Sequence, residues 1–296
     1  MLPARFRQRI HRVANDRKSG ALELAIKVID AFTEITNSGS RPSKNQLNVA
    51  VKFLSKSQPT MIPILTAAEI CTRIIMNEDD PYSKLQRLRS FIVSSRAKVA
   101  VNSLSCLSPS STCVTISKSS TVLIALKLAA NSKKLSRVYV MESRPHLEGR
   151  STARDLTSEG VECILVTDAL GPSLADEVDA AVIGADAILK DGAVVNKSGT
   201  YPLALACKEA EKPLYVLAES VKLDQRFNSA IWPGSELREE KELLPTPPKG
   251  LRAMNKYFDL TPPSYVTAIV HEAGVSKKDW VQDLQATLGR ILKSEA

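Results

Sequence analysis

From residue 21 to about residue 103 the apolar positions recur with helical spacing, and no convincing strand pattern interrupts them. Ala25, Val28, Ile29 and Phe32 share one face, as do Leu47, Ala50, Val51 and Leu54, and then Leu85, Leu88, Ile92 and Val99. Asn37–Ser43 and Ser55–Pro59, rich in Ser, Asn and Pro, break the pattern between helices. Residues 1–103 are therefore expected to form an all-helical N-terminal domain.

After Leu104 the period changes to short β-rich runs alternating with amphipathic helices, the order that an α/β, doubly wound, mostly parallel sheet requires. Strands are expected at Thr112–Ile116, Arg137–Met141, Val161–Val166, Ala180–Ile183 and Pro213–Ala218. Helices are expected over Thr121–Ala130, Ser151–Ser158 and Pro202–Lys208. Ile231–Gly250 carries four prolines and a charge run, which predicts an exposed excursion. Tyr257–Leu260 is a sixth strand candidate, Thr261–Ser264 is expected to cap a helix, and Lys277–Leu292 closes the chain as another helix. Residues 104–296 thus make the second domain.

Gly184–Thr200 has its own pattern. Asp191-Gly192 between apolar flanks predicts a two-residue type I′ hairpin turn. That register pairs Leu189 with Val194, Ile188 with Val195 and Ala187 with Asn196, and it sets the Asp186 carboxylate against the Lys197 ammonium at the open end. Asp186 falls just past the carboxyl end of a strand, the edge at which open parallel sheets bind ligands. Ser198–Thr200 then opens a helix whose backbone N–H groups would attract an anion, most simply a phosphate. A surface hairpin with one weak cross-strand ion pair would satisfy the same spacing.

Composition narrows the classes. At 296 residues, with 44% hydrophobic and 24% charged residues, the chain can bury full cores as one large or two ordinary domains. No stretch reaches the roughly 20 apolar residues of a membrane span. Met1–Arg9 has basic residues without an apolar run behind them, so no secretory signal is expected and the cytoplasm is the expected compartment. Five scattered cysteines without CxxC spacing read as reduced thiols, and three distant histidines suggest no metal site. A net charge of +8 suits an anionic partner, but with cations dispersed and aromatics at 5% there is no dedicated nucleic-acid motif.

Polar residues follow each expected strand, and their convergence on one crevice is the functional argument. Ser117-Lys-Ser119-Ser120 offers hydroxyls and helix N-terminal donors after the first strand. Glu142–Arg150 brings Arg144 and Arg150 after the second. Asp186, Asn196 and Lys197 follow the fourth, and Glu219 with Lys222 the fifth. Arginines, lysines and a helix N-terminus around carboxylates make an anion pocket with acid–base capacity. Helix capping, solvated arginines and an exposed ion pair would account for these groups one at a time. GxGxxG and GxxxxGK[ST] are absent, which argues against a nicotinamide dehydrogenase or a P-loop nucleotidase.

Glu142-Ser-Arg-Pro with Glu148-Gly-Arg150, Gly184-Ala-Asp-Ala187, Asn196-Lys-Ser-Gly-Thr200, Tyr215–Ser220 and Phe258–Pro263 resemble the translation initiation factor 2B alpha/beta/delta family. The same superfamily contains methylthioribose-1-phosphate and ribose-1,5-bisphosphate isomerases. The motifs run in order from about Arg17 to the C-terminus. The resemblance implies a helical N-terminal domain, a Rossmann-like C-terminal domain, a homodimer or higher oligomer, no cofactor, and initiation factor 2 subunits as partners. It implies phosphate contacts at Arg17, Gly20 and Ala21, and it implies catalytic roles for Asp186 and Ser117 if the chain is an isomerase. The isomerases carry a cysteine where Thr115-Ile-Ser-Lys-Ser-Ser120 has Ser117, and an Arg-Pro-Thr where this chain has Gln58-Pro-Thr60. A serine hydroxyl is far less acidic than a thiol, whose reference pKa is about 8.5. The expectation is an alpha-like regulatory protein that binds a phosphorylated sugar or nucleoside monophosphate. The alternative is an aldose–ketose isomerase acting on a ribose 1-phosphate type of substrate.

Overall fold

Two apolar helices, α2 (Ala21–Thr36) and α4 (Ile62–Asn77), form the heart of the helical region because almost every face of α4 is apolar: Ile62, Ile64, Leu65, Ala68, Cys71, Ile74 and Ile75 are all buried. The computed structural model describes residues 3–16, 19–36, 42–233 and 237–293. Its chain divides into two compact units, 1–95 with 220–224 and 282–296, and 96–219 with 225–281.

In the first unit, α1 (Ala4–Asn15) and α3 (Lys44–Ser57) pack on that pair. Sequence periodicity was expected to open at residue 21, yet Phe6, Ile10, Val13 and Ala14 already lie on one buried face of α1. The intervening arginines obscure this spacing. Phe6 meets Phe32 edge-on at 5.1 Å, a favoured aromatic geometry. Ser43 closes a reciprocal capping box with Gln46 at the start of α3. The breaker at Asn37–Ser43 lies largely outside the described residues. Helix α5 (Pro81–Ser103) runs across the boundary between the units.

The second unit is built on β1 (Ser111–Ile116), β2 (Leu135–Met141), β3 (Glu162–Val166) and β4 (Ala180–Ile183), with α6 (Ser120–Asn131) and α7 (Glu148–Thr157) as crossovers. The hairpin strands β5 (Ala187–Leu189) and β6 (Val194–Lys197), helix α8 (Thr200–Glu209) and strand β7 (Leu214–Leu217) follow. After the two-residue β8 (Leu223–Asp224) come β9 (Phe258–Thr261), β10 (Ala268–His271), β11 (Gly274–Ser276) and the last helix, α9 (Trp280–Lys293). The main sheet has the order β11-β10-β7-β4-β1-β2-β3, parallel throughout except for β11. Chain order reverses between β1 and β4, which makes a topological switch point at their carboxyl ends.

Two expectations change here. Phe258–Thr261 does not join the main sheet: β9 pairs antiparallel with β6 in a separate small sheet. The next parallel strand is instead β10, whose four residues are all buried, and Pro263–Tyr265 makes a single 3₁₀ turn where a helix start was expected. Short apolar runs such as Ala268–His271 have no distinguishing period, which is why the sequence leaves them unassigned.

The hairpin register also shifts by one residue. Ala187 pairs with Val195 and Ile188 with Val194, so the loop is Lys190-Asp191-Gly192 rather than Asp191-Gly192 alone. Leu189 N–H donates to Ala193 O at 2.8 Å and Gly192 N–H to Leu189 O at 2.8 Å, with Gly192 at φ +83°. This is the three-residue loop that ends on a left-handed glycine. A slip of one residue turns every side chain to the opposite face, and continuing the observed register sets Asp186 opposite Asn196. That register no longer sets Asp186 opposite Lys197.

Candidate functional site

Polar side chains at the carboxyl ends of β1, β2 and β3 form a hydrogen-bond relay. Asp168, beyond β3, accepts the N–H groups of Ser143 and Arg144, each at 2.7 Å. Ser143 is fully buried, and its Oγ accepts Ser117 N–H at 2.8 Å. Ser117 and Ser143 both adopt left-handed backbone, φ 71° and 67°, so these contacts hold the two loops in conformations that non-glycine residues seldom take. The Thr152 hydroxyl on α7 donates to Ser117 O at 3.0 Å.

Glu148 is the group that sequence reasoning missed. Gly149 places it, because a Cβ at Gly149 would lie 1.9 Å from Met141 O, and only glycine lets α7 start directly against the end of β2. From there one oxygen of Glu148, Oε1, accepts the Ser117 hydroxyl at 3.1 Å and the Lys197 ammonium at 2.5 Å. The second oxygen, Oε2, is buried and has no hydrogen-bond partner among the described residues. Lys197 is itself buried, with its Nζ 5.2 Å from the centre of the Tyr257 ring. The only sequence signal for Glu148 is its neighbour: a glycine one residue into a helix after a strand end implies close approach.

Tyr257 extends the cluster. Its hydroxyl lies 2.6 Å from His146 Nε2 and donates to Glu242 at 2.6 Å, and Asn255 donates to the same carboxylate at 2.6 Å. The Tyr257 hydroxyl bond holds Glu242 below the usual carboxylate range, while burial and then Glu242 push the phenol up. The partners of His146 lie about a hundred residues away, Glu242 in the proline-rich excursion and Tyr257 just after it, where no local pattern can show them.

The expected anion sites at helix starts hold internal carboxylates. At α8, Asp259 Oδ2 accepts Gly199 N–H at 2.8 Å and Tyr201 N–H at 3.1 Å, so the predicted phosphate position is filled by a side chain of the same chain. Burial raises Asp259 to about 6 against the pull of those N–H groups. At α6, Ser119 caps the helix and the Thr121 hydroxyl bonds the fully buried Glu219. Ser119 also limits residue 184 to glycine, since a Cβ there would lie 2.8 Å from its side chain. Ser120 is exposed on the first turn of α6.

Asn196 is buried and donates to Thr200 Oγ1 at 2.9 Å, inside the small sheet rather than toward an open face. Asp186 is half-buried, with its N–H bonded to Val195 O at 2.8 Å. Arg150 pairs with Glu142 at 2.8 Å and Arg144 is exposed, so both arginines stand at the rim. Gly20, Ala21 and Lys222 belong to the first unit, and Arg17 lies outside the described residues. Gln58 is buried and donates to Ala14 O and Asp16 O at 3.1 and 3.0 Å, closing the end of α1. Cys113 is wholly buried in β1, where burial pushes its thiol up to about 12, so it supplies no nucleophile. Among the described residues no cluster of His, Cys, Asp and Glu could hold a metal, and no helix is long and apolar enough to cross a membrane.

Comparison with known proteins shows the family to which this fold and sequence belong. The model of the Initiation factor 2 subunit family matches residues 17–278. The chain is 32% identical over 280 residues to the putative translation initiation factor eIF-2B subunit 2-like protein of Pyrococcus horikoshii, covering 93% of this chain and 97% of that one. It is 30% identical over 236 residues to the ribose 1,5-bisphosphate isomerase of Archaeoglobus fulgidus, covering 77% and 75%. The crystal structure of the Pyrococcus horikoshii OT3 translation initiation factor eIF-2B is similar at a TM-score of 0.79 and 30% identity, over 96% of this chain and 100% of that one. With the family model and full-length relatives pointing the same way, the chain belongs to the Initiation factor 2 subunit family.

Proposed function

We propose that this protein is an initiation factor 2B alpha-like regulatory protein that binds a phosphorylated sugar or nucleoside monophosphate at the carboxyl edge of its sheet without turning it over. In this role residues 1–103 act as a helical domain and 104–296 as the ligand-binding domain of a cytoplasmic homodimer or higher oligomer that engages initiation factor 2 subunits. The observation that carries the proposal is the contrast at one crevice: Lys197 is buried there beside hydroxyl and carboxylate groups, while Ser117 stands where an isomerase of this superfamily has its thiol. A hydroxyl bonded to Glu148 can orient a ligand, but it is a poor proton donor and acceptor for aldose–ketose chemistry.

Isothermal titration with nucleoside monophosphates and pentose phosphates tests the binding role. Micromolar to millimolar binding that weakens at least tenfold in Lys197→Met is the expected result, and no heat with any of these ligands overturns it.

Isomerisation of an aldose 1-phosphate is the second reading, favoured by the 30% identity to the Archaeoglobus fulgidus enzyme and by the retained Asp186. Asp186 would then move the proton and Ser117 would replace the thiol. NMR of ribose 1,5-bisphosphate and methylthioribose 1-phosphate incubated with the protein decides it: turnover that disappears in Asp186→Asn establishes the enzyme, and unchanged substrate excludes it.

A further inference from the structure

We propose that Glu148 is an internal counter-ion that competes with a ligand's phosphoryl group for Lys197 and so determines how strongly the crevice takes up anions, an inference that rests on the crevice binding a phosphorylated ligand. The geometry sets up the competition. The Lys197 side chain is only 7% exposed, and the groups about its ammonium are the Glu148 carboxylate at 2.5 Å and the Tyr257 ring at 5.2 Å. A phosphoryl oxygen that reaches Lys197 must share the cation with a charge already in contact with it, in a site where little water screens the two anions.

Glu148 differs from a carboxylate that merely ties loops together. Asp168 offers that comparison a short distance along the same edge, because each of its oxygens accepts one backbone N–H at 2.7 Å. In Glu148 both donors converge on Oε1, while Oε2 is buried and unpartnered among the described residues. A buried carboxylate oxygen without a donor is an unfavourable resting arrangement. It leaves the side chain able to gain by turning toward a donor once Lys197 is taken by another anion. A hydroxyl on a sugar phosphate is such a donor, so a phosphorylated sugar replaces both interactions of the resting pair, whereas inorganic phosphate replaces one. Glu148 thus selects for sugar phosphates over bare anions.

The test is isothermal titration of the full chain with inorganic phosphate, ribose 5-phosphate and ribose. The proteins are the unsubstituted form, Glu148→Gln, Glu148→Asp and the double variant Glu148→Gln/Lys197→Met. Removing the charge should tighten inorganic phosphate binding about tenfold or more, tighten ribose 5-phosphate less, and leave ribose unaffected. The gain should vanish in the double variant. Equal or weaker phosphate binding by a folded Glu148→Gln protein overturns the counter-ion role. If that variant does not fold, Glu148→Asp, whose carboxylate is drawn back by one methylene, must bind phosphate more tightly, and unchanged affinity there overturns it equally. Ribose 5-phosphate binding that tightens as much as inorganic phosphate binding when the Glu148 charge is lost removes the selection for sugar phosphates and leaves the phosphorylated-ligand function standing. Failure of every form to bind either phosphate removes both.

Discussion

Gln58 in the helical unit and Glu148 in the sheet unit are both polar side chains withdrawn from water beside a helix end, and the two are satisfied in opposite ways. Gln58 directs its amide hydrogens to Ala14 O and Asp16 O, completing backbone groups that a helix terminus leaves open. Glu148 engages two other side chains, Ser117 and Lys197, and leaves one oxygen without a donor. The first arrangement is what a fold needs, since it removes buried unpaired groups. The second is tolerated by a fold and useful to a site, because its groups can exchange partners at modest cost. Gln58, at the end of α3, serves the first use, and Glu148, at the start of α7, the second.

Substitutions can break that contrast. The largest effect is expected from Lys197→Met, which leaves the Glu148 charge in the crevice without its cation; a loss of about 3 kcal/mol is expected, at the low end for a broken buried pair because Glu148 is 22% exposed. Urea denaturation measures it, and combining the change with Glu148→Gln should recover most of the loss. If the double variant is as unstable as the single one, the pair is not what holds the crevice together. Gly149→Ala follows. Its Cβ would meet a backbone oxygen rather than a mobile side chain, so α7 must move away from β2, at a cost of about 2 to 3 kcal/mol by the usual scale of overpacking. Unfolding that matches the parent protein would mean that α7 does not start as tightly on β2 as described.

Gln58→Ala should cost about 2 kcal/mol, since two carbonyls at the end of α1 lose their donor. Because Gln58 serves the backbone, affinity for pentose phosphates should not change; a tenfold loss would return this position to the ligand. The smallest effect concerns Asp259. Its pKa in the folded chain is raised from 3.8 to about 6, so the group is costlier to ionise folded than unfolded. Its contribution is therefore most favourable below about pH 4 and declines as pH rises to 6. In Asp259→Asn that decline disappears, and at pH 7 the net change is about 1 kcal/mol, because relief of the buried charge is offset by weaker acceptance of the α8 N–H groups. Urea midpoints between pH 4.5 and 7 test the slope, and parallel profiles for the two proteins would contradict it.

Much of the architecture was legible before any coordinates. The helical period in the first hundred residues and the change to β-rich runs after Leu104 are local properties, and β1, β2, β4 and β7 fall where alternating and apolar runs place them. The polar residues after those strands also lie at the sheet's carboxyl edge, as parallel topology demands. Glu148 is not distinguished by its local sequence, since nothing in Glu-Gly-Arg says that Gly149 packs on Met141 O. His146, Tyr257 and Glu242 meet across a hundred residues, beyond the reach of any period.

The hairpin marks the limit most sharply. Asp191-Gly192 correctly signals a turn, but which two strands' residues face each other depends on contacts from elsewhere. Asp191 accepts the N–H and hydroxyl of Ser229 at 2.9 and 2.6 Å, Lys190 N–H reaches Phe227 O at 3.1 Å, and the Trp280 indole donates to Gly192 O at 3.2 Å. Those bonds favour the three-residue loop and, with it, a shift of one position along β6. The sequence by itself determined the class of fold, the succession of helices followed by alternating strands and helices, and which residue types gather at the sheet's edge, because these follow from periodicity and chain direction. Tertiary structure alone decided that Lys197 pairs with Glu148, because the partner of a buried charge is chosen by long-range packing and strand register, which no stretch of sequence contains.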